Sequence, residues 1–417
     1  MTAAVTTRAD ATPAPAPSLR NQVREYGQRL RGGDMGSLPA IAGLVVLCAV
    51  FTALDPAFAT PRNFANLFGQ GAQITVIAMG LVFVLLLGEI DLSAGYTSGV
   101  CAAVLAVLLT DHGVPWYLAV LAALVTGTAI GTVLGTLVAK VGIPSFVVTL
   151  AAFLAFQGVL LIMISGGKNI SITDPTILAL VNKNLPVWLG WALYVVTVVG
   201  YAALQLYRAR SRTRQGLVAQ PMSVILAKIA GLAVLLGLAT AALNQERSIN
   251  TLITSLKGVP IVVPIIAVLL IFWTFVLGRT AFGRHLYAVG GNTEAARRAG
   301  IAVDRIKISA FMICSTMAAV GGILAASRAN SVDPNTGGSN VLLYAVGAAV
   351  IGGTSLFGGK GRVIDAVLGG AVVAVIDNGM GLLGVTSGTK YVVTGGVLLL
   401  AAGVDALSRR RAAASGL

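Results

Sequence analysis

Two carboxylates interrupt one of the most apolar regions of the chain. Glu89 and Asp91 follow the apolar run at residues 80–88 and precede Leu-Ser-Ala-Gly. An ionised carboxylate at the centre of a bilayer costs about 2.5–3.5 kcal/mol even on insertion scales. The two side chains therefore need a place at a helix end in the membrane interface, a cationic partner or a polar pathway. Asp91 could cap the next helix with the help of Ser93; alternatively, the pair lines or gates a route for a solute.

A few other residues inside apolar runs could also contact a solute. Asp377 and Asn378 lie near the end of one run and Gln157 lies within another. Polar side chains inside helical bundles often form only interhelical hydrogen bonds, so substrate contact is the more specific of two interpretations. Phe153 could stack on a sugar ring, although aromatic residues in spans usually pack. The candidate pathway residues are therefore Glu89, Asp91, Ser93, Phe153, Gln157, Asp377 and Asn378.

Catalytic and cofactor motifs are missing from the sequence. The two histidines, His112 and His285, fall in loops predicted on opposite sides of the membrane, which argues against a histidine-based metal site or catalytic triad. The spacing from Gly353 to Gly358 matches a phosphate-binding loop, but Gly359 stands where that motif requires lysine. We therefore predict no enzyme, no cofactor and no metal, and any ATP that drives this protein must be hydrolysed by another subunit.

The composition predicts the class of fold that holds these residues. The 417 residues are 56% hydrophobic and 11% charged, against about 25% charged in soluble proteins. Apolar runs long enough for transmembrane helices recur along the chain. We predict an all-α polytopic transmembrane bundle over residues 38–408. Its twelve or so spans are predicted near 38–54, 72–88, 93–110, 115–138, 145–164, 188–206, 223–243, 259–277, 306–327, 341–356, 363–380 and 390–407.

The basic residues predict how the bundle is oriented. With a cytoplasmic N-terminus, 22 of the 29 Lys and Arg residues fall on the cytoplasmic side, which is the positive-inside pattern. It explains the +14 net charge without nucleic acid. Both termini are then cytoplasmic. The regions outside the spans are a disordered tail at 1–37, an external loop at 165–187, a basic cytoplasmic linker at 207–222 and a basic tail at 409–417.

Glycine is abundant inside the predicted spans. Gly127, Gly131 and Gly135 recur every four residues, a spacing that lets helix backbones approach closely. Segments 80–95 and 347–361 both end an apolar run in a glycine-flanked polar break, which suggests a parallel internal repeat with broken helices. The spans at 188–206 and 223–243 are poor in polar residues and could be a peripheral insertion. All three cysteines fall in apolar runs, so we expect free thiols.

A polar segment at residues 283–301 separates two apolar stretches, within a loop at 278–305. It predicts a short helix with Asn292 as its N-cap, Glu294 near its start, Arg297 and Arg298 near its end and Gly300 as its left-handed stop. Ala295, Ala296 and Ala299 are expected to give one face of methyl groups. Such a short helix needs a body to pack against, since it is unstable alone in water. A solvated loop between two spans is the alternative.

Several of these segments resemble one family of transport proteins. Residues 283–297, Gly-Arg-x-x-Tyr-Ala-x-Gly-Gly-Asn-x-Glu-Ala-Ala-Arg, followed by Ala-Gly-Ile, resemble the cytoplasmic loop of sugar permeases of ATP-binding-cassette importers, in the ribose, xylose and galactoside group. Further similar segments are Glu-Ile-Asp-Leu-Ser-x-Gly at 89–95, Ile143 to Phe146, Ile-Gly-Gly-Thr-Ser at 351–355 and Asp-Asn-Gly-Met at 377–380. Within that family the resemblance is greatest to the D-xylose permeases.

The resemblance implies a multi-pass permease of the inner or plasma membrane that carries a monosaccharide, with a pentose such as D-xylose expected first. It also implies a second permease copy, two cytoplasmic ATPases and an extracytoplasmic sugar-binding protein as partners. Residues 291–300, including Gly291, would form the coupling helix that docks in the ATPase. We expect Ala296→Glu or Gly300→Pro to uncouple transport without preventing membrane insertion. The competing class is a proton-coupled secondary transporter that uses Glu89 or Asp91 as its relay.

Overall fold

The computed structural model describes residues 37–164, 168–216, 220–251 and 255–414. These ranges contain fifteen α-helices and one pair of short strands. The helices are α1 (Leu38–Leu54), α2 (Pro61–Leu86), α3 (Ala94–Ala106), α4 (Trp116–Thr136), α5 (Ser145–Met163), α6 (Pro175–Asn182), α7 (Val187–Arg214), α8 (Met222–Asn244), α9 (Val262–Arg279), α10 (Ala281–Gly291), α11 (Thr293–Arg298), α12 (Val303–Ala329), α13 (Ser339–Gly352), α14 (Val363–Leu382) and α15 (Ser387–Ala414). The strands are β1 (Ile170–Ser171) and β2 (Ser331–Val332). A 3₁₀ turn (Pro56–Ala59) precedes α2, and π-helical turns extend α3 (Val107–Asp111) and α4 (Leu137–Val141).

Nine of the described helices are long and apolar enough to cross a membrane, which confirms the all-α polytopic class. They are α2, α3 and α4 with their flanking helical turns where present, α5, α7, α8, α9, α12 and α14. The apolar helices α1 and α13 are shorter, and α15 covers the last predicted span. The figure of about twelve spans therefore stays a prediction.

The helices form a central group and a peripheral group. The apolar stretch of α2 is 78% buried inside the protein, and α3, α12 and α14 are buried to a similar degree. The same measure is 6% for α7 and 11% for α8. The two helices that the sequence suggests as a peripheral insertion therefore do lie at the periphery, with apolar side chains facing outward.

The glycines of α4 pack against α12, as their spacing predicts. A Cβ added at Gly127 would lie 2.7 Å from the carbonyl oxygen of Ser315, and one at Gly135 would lie 2.8 Å from the Cα of Ile308. A Cβ at Gly131 would overlap the carbonyl oxygen of Phe311. Backbone meets backbone along this seam, so the small-residue interpretation is confirmed. The three cysteines are free thiols, and Cys101 and Cys314 are fully buried.

Several predicted boundaries are wrong. Helix α2 begins at Pro61 instead of residue 72, because Thr60 caps it, Pro61 suits its first turn and polar residues had lowered the local hydropathy. Helix α7 continues to Arg214 through the first half of the predicted linker, since the Arg and Ala residues there are good helix formers. Helix α15 likewise continues to Ala414 into the predicted basic tail. The predicted external loop holds β1 and α6.

Parts of those predicted segments lie outside the described residues. They are the N-terminal tail up to residue 36 and the stretches 165–167, 217–219 and 415–417.

The bundle has two distinct ends. At one end, called here the strand end, β1 pairs antiparallel with β2, with Ile170 opposite Val332. Thr110 also donates a hydrogen bond there to the carbonyl oxygen of Ser171. The opposite end, called here the α11 end, carries α10, α11 and the turns that follow α2 and α13.

Helix α13 is too short to cross a bilayer by itself. Its 14 residues span about 21 Å, whereas the hydrocarbon core is about 30 Å thick. The predicted span at 341–356 is therefore corrected to a helix over Ser339–Gly352, about two-thirds as long as the hydrocarbon core is thick. The non-helical segment before it runs against α3: Gly337 packs on the backbone of Gly95 and Gly99, and the carbonyl oxygen of Thr336 also faces Gly99.

Candidate coupling and translocation sites

Helix α11 has the ends that the sequence predicts. Asn292 accepts a hydrogen bond from the backbone N–H of Ala295 at 2.9 Å, so it is the N-cap. Glu294 lies in the first turn and pairs with Arg297 at 3.1 Å. Gly300 has a φ of 82°, the left-handed conformation expected of a glycine stop.

The predicted methyl face is wrong in one respect. Ala296 is 4% exposed and packs into the core of this chain, while Ala295 and Ala299 are exposed. The reason is that a helix of six residues needs an anchor, and Ala296 provides it. Of the three alanines, Ala295 and Ala299, one turn apart, are free to meet another body, together with exposed neighbours such as Arg298 and Gly291.

Helix α10 connects α11 to the bundle, and sequence inspection missed it. Thr280 caps its start, and two of its own side chains, Leu286 and Val289, are fully buried. Tyr287 donates a hydrogen bond of 2.7 Å to the carbonyl oxygen of Gly361, in the turn between α13 and α14. The apolar pair Leu286 and Val289, three residues apart, is the signal that could have identified it.

Four glycines join α10 to both breaks of the bundle. A Cβ at Gly290 would overlap the carbonyl oxygen of Leu86, which ends α2, and would lie 3.0 Å from the nitrogen of Gly359. A Cβ at Gly358 would lie 2.9 Å from the oxygen of Gly290 and 3.0 Å from the nitrogen of Gly88. Gly359 donates a backbone hydrogen bond of 2.8 Å to Leu86. We call Gly88, Gly290, Gly358 and Gly359 the glycine junction.

The glycine junction brings together the two segments that suggest an internal repeat. The turn after α2 and the turn after α13 lie at the same end and contact each other there. The duplication itself stays a prediction.

Glu89 and Asp91 lie in the turn between α2 and α3, and each has partners. Glu89 pairs with Lys307 of α12 at 2.5 Å, with both side chains mostly buried. Asp91 is fully buried and accepts hydrogen bonds from the backbone N–H and the hydroxyl of Ser93, at 2.9 and 2.6 Å. Of the alternatives for Glu89, the cationic partner is confirmed. For Asp91, the carboxylate holds the start of α3 through Ser93, whose own side chain does not cap the helix.

Asn378 belongs to an amide network between α2 and α14. Its side chain exchanges hydrogen bonds of 2.8 and 2.9 Å with Asn63 and donates a third, at 3.0 Å, to Gln70. Asp377 lies beside it, 3.6 Å from Lys390 of α15. Polar side chains are thus concentrated toward the strand end of α2, the most buried of the nine candidate spans.

A polar cavity of about 380 Å³ opens beside this network, and we call it the strand-end basin. Asn66 and Gln70 of α2 line one wall, so the basin and the amide network share Gln70. The other polar lining residues are Arg62, Asn182, Asn184, Arg247 and Arg328. Sequence inspection missed the basin, although Asn63, Asn66 and Gln70 share one helical face by their spacing.

The loop after α8 shapes one side of the basin. Arg247 is buried and donates to the carbonyl oxygens of Leu243 and Gly258, the latter at 2.9 Å. Glu246 accepts hydrogen bonds from the backbone N–H of Leu256 at 2.9 Å and the hydroxyl of Ser255 at 2.7 Å. These and further backbone hydrogen bonds lower the pKa of Glu246 to about 2. The ionised carboxylate therefore holds the loop closed.

Phe153 and Gln157 lie elsewhere. Both are on α5, where Phe153 packs edge-to-face on Tyr96 of α3 at a centroid distance of 4.8 Å. Gln157 is half-buried one turn along the same helix. Neither lines the basin, so the structure does not join the candidate pathway residues into one site.

Comparison with known proteins identifies the family. Residues 63–402 match the model described as "Branched-chain amino acid transport system / permease component". The chain belongs to this permease family. It is 36% identical to the xylose transport system permease protein XylH of Escherichia coli, over 89% of this chain and 92% of that protein. It is 30% identical to the ribose import permease protein RbsC of Escherichia coli, over 88% of this chain and 92% of that protein.

The chain is also 30% identical to the ribose import permease protein RbsC of Bacillus subtilis, over 89% of this chain and 94% of that protein. No solved structure is significantly similar to the chain. The protein is thus a multi-pass membrane permease component. Both the glycine junction and nearly all of the strand-end basin fall within the matched region.

Proposed function

We propose that this chain is the membrane subunit of an ATP-driven importer of a monosaccharide, with a pentose, D-xylose first, as its cargo. The similarity to sugar permeases over almost the whole chain supports the substrate class. The identity is greater to the xylose protein than to the ribose proteins, which supports testing D-xylose before other pentoses.

In this proposal the α11 end faces the cytoplasm, together with both termini, and the strand end faces outward. The distribution of basic residues supports this orientation, because most of those in the described part of the chain lie in helices and turns at the α11 end. A second copy of the permease, two ATPase subunits and an extracytoplasmic sugar-binding protein complete the transporter. The ATPase is required as a partner because the chain lacks a phosphate-binding loop of its own.

The glycine junction is the observation that supports the central step of the proposal, the coupling of the ATPase to the bundle. The exposed side of α11, with Ala295 and Ala299, docks on the ATPase, while Ala296 ties α11 to the bundle. A displacement of α11 reaches α10, and Gly290 passes it to the end of α2 at Leu86 and to the turn after α13. ATP binding then shifts the bundle between two states, because the ATPase contacts α11 differently in each.

The strand-end basin suits a sugar that enters from the opposite side. Sugar hydroxyls both donate and accept hydrogen bonds, and Asn and Gln side chains do the same, while Arg adds donors. Asn66 and Gln70 present such groups at the wall. The competing proton relay has less support, since Glu89 is paired with Lys307 and Asp91 is bonded to Ser93.

Reconstitution with the partner subunits tests the proposal. Proteoliposomes would hold this chain, its cognate ATPase and the candidate binding protein, with ATP inside, and pentoses and hexoses would be supplied outside. We expect D-xylose to stimulate ATP hydrolysis and to accumulate, and a protonophore to leave uptake unchanged at constant ATP. Uptake that stops with the protonophore would support a secondary transporter, and failure of every monosaccharide would refute the sugar assignment.

A further inference from the structure

A second cavity lies between the peripheral helices at the α11 end. It has a volume of about 530 Å³ and is formed by the end of α7, the start of α8 and the end of α9. Four cations line it: Arg208, Arg212, Lys228 and Arg279. No carboxylate is among the lining residues that the structure describes. Its charges take no part in the glycine junction or in the strand-end basin.

The charge of this cavity is not balanced within the surrounding sequence. Residues 175–245 contain no Asp or Glu, although they include all of α7 and all of α8. Four cations around one cavity repel one another, and the repulsion is stronger at the edge of a low-dielectric membrane than in water. Guanidinium groups match the geometry of phosphate and bind it through paired hydrogen bonds. The cavity therefore favours a phosphate group.

Its surroundings favour a phosphate that is attached to a lipid. Leu204 and Ile225 line the cavity beside the cations, so it has an apolar wall. The neighbouring turns of α7 and α8 expose apolar side chains, with Leu204 44% and Leu226 56% exposed. Tyr207, another lining residue, is 71% exposed, and tyrosine is enriched at the membrane–water interface. A soluble phosphate would use the cations and leave this apolar surface uncovered.

We propose that this cavity binds the headgroup of an anionic phospholipid, whose acyl chains lie along α7 and α8. Basic pockets between transmembrane helices are suited to such headgroups. The bound lipid holds α7, α8 and α9 together at the α11 end. These peripheral helices bury little surface in the rest of the protein. Lys228, one of the four cations, donates a hydrogen bond of 3.0 Å to Gln220, which also lines the cavity.

Helix α7 supplies a matched pair of variants for the test. Arg208→Gln with Arg212→Gln removes two cations that line the cavity. Arg210→Gln with Arg214→Gln removes two exposed cations from the same helix, with the same spacing and the same change of net charge, and neither lines the cavity. The full chain of each variant would be reconstituted in nanodiscs of phosphatidylcholine with increasing phosphatidylglycerol. Native mass spectrometry would then count the phosphatidylglycerol that is retained.

We expect the first pair to weaken retention of phosphatidylglycerol about ten-fold or more relative to the second pair. An equal loss in both pairs would mean that diffuse surface charge attracts the lipid, and would overturn the proposal. Unchanged retention in both would also overturn it. Displacement of the lipid by millimolar inorganic phosphate would show that the cavity takes free phosphate instead. Circular dichroism of both variants verifies that the helices remain folded, so a loss of retention is not a loss of fold.

Discussion

The two ends of the bundle differ in the chemical groups that meet there. At the α11 end, α10 and the two breaks meet through glycine backbones, with no side chain between them at Gly290 and Leu86. At the strand end, amide and guanidinium side chains surround an open basin. Close backbone contact transmits a displacement because it leaves no room for side chains to adjust. Flexible polar side chains around a cavity can instead rearrange around a ligand. The α11 end is therefore suited to transmitting a displacement, and the strand end to binding a ligand.

Among the variants that test this difference between the two ends, Gly290→Ala is expected to have the largest effect on sugar uptake. The added methyl group would overlap the carbonyl oxygen of Leu86, so α10 must separate from α2. Overpacking costs about 1–3 kcal/mol, and we expect sugar uptake to be abolished while the ATPase still binds. In proteoliposomes, uptake measures transport, and ATP hydrolysis shows separately that the ATPase is still bound and active. Gly278→Ala is the control, because nothing lies within 4 Å of a Cβ at that position. Normal uptake by Gly290→Ala would show that the junction transmits nothing.

Charged substitutions on α11 sharpen the comparison by separating docking from folding. Ala299→Glu places a charge on the exposed side, and we expect the affinity for the ATPase to fall by about thirty-fold or more, because an unpaired interfacial charge costs about 2–5 kcal/mol. Ala296→Glu would instead detach α11 from the core, so it tests stability and not docking. Co-purification with the ATPase and thermal unfolding give the two readouts, with exposed Ala281→Glu as the control. Equal effects of the two α11 variants would contradict this division of the helix.

At the strand end, Asn66→Leu is expected to change binding and leave coupling intact. Asn66 is exposed and lines the basin. The loss of one hydrogen bond of about 1 kcal/mol should raise the KM of uptake roughly five-fold without lowering its maximal rate. Gln245→Leu, an exposed residue near the basin that does not line it, is the matched control. A fall in maximal rate with unchanged KM would place Asn66 outside the sugar route.

The smallest expected effect concerns the loop that closes the basin. The pKa of Glu246 is lowered to about 2 from an ordinary 4.5. Its contribution to stability is therefore complete above pH 4.5 and is lost as the pH falls towards 2. We expect the amide of Leu256 to lose protection from hydrogen exchange over that interval, and Glu246→Gln to weaken that protection at neutral pH. Equal protection of this amide in the variant and the original protein would show that Glu246 does not hold the loop.

The sequence predicts local features of this protein better than it predicts contacts between distant residues. The N-cap at Asn292, the stop at Gly300 and the glycine seam of α4 depend on neighbouring residues or on one helical face, and all three are confirmed. The sequence also indicates that Glu89 needs a partner. It cannot identify Lys307, which lies 218 residues away.

The same limit explains the missed sites. The strand-end basin takes its lining from α2, α6, α12 and two loops, and only the α2 residues share a pattern that can be read along the chain. The glycine junction joins three separate segments through backbone atoms. No property of a single segment reports which other backbone it meets.

Helix α13 also has a consequence for the order in which the protein is assembled. Its 14 residues are too few to cross the bilayer unaided, and the segment before it rests on the backbone of Gly95 and Gly99. Exposed, irregular backbone is not tolerated in lipid. We therefore expect this part of the chain to enter the membrane only when α3 is already in place to receive it. Membrane entry of α13 is then a late folding step that the finished bundle directs, rather than an insertion event driven by its own hydrophobicity.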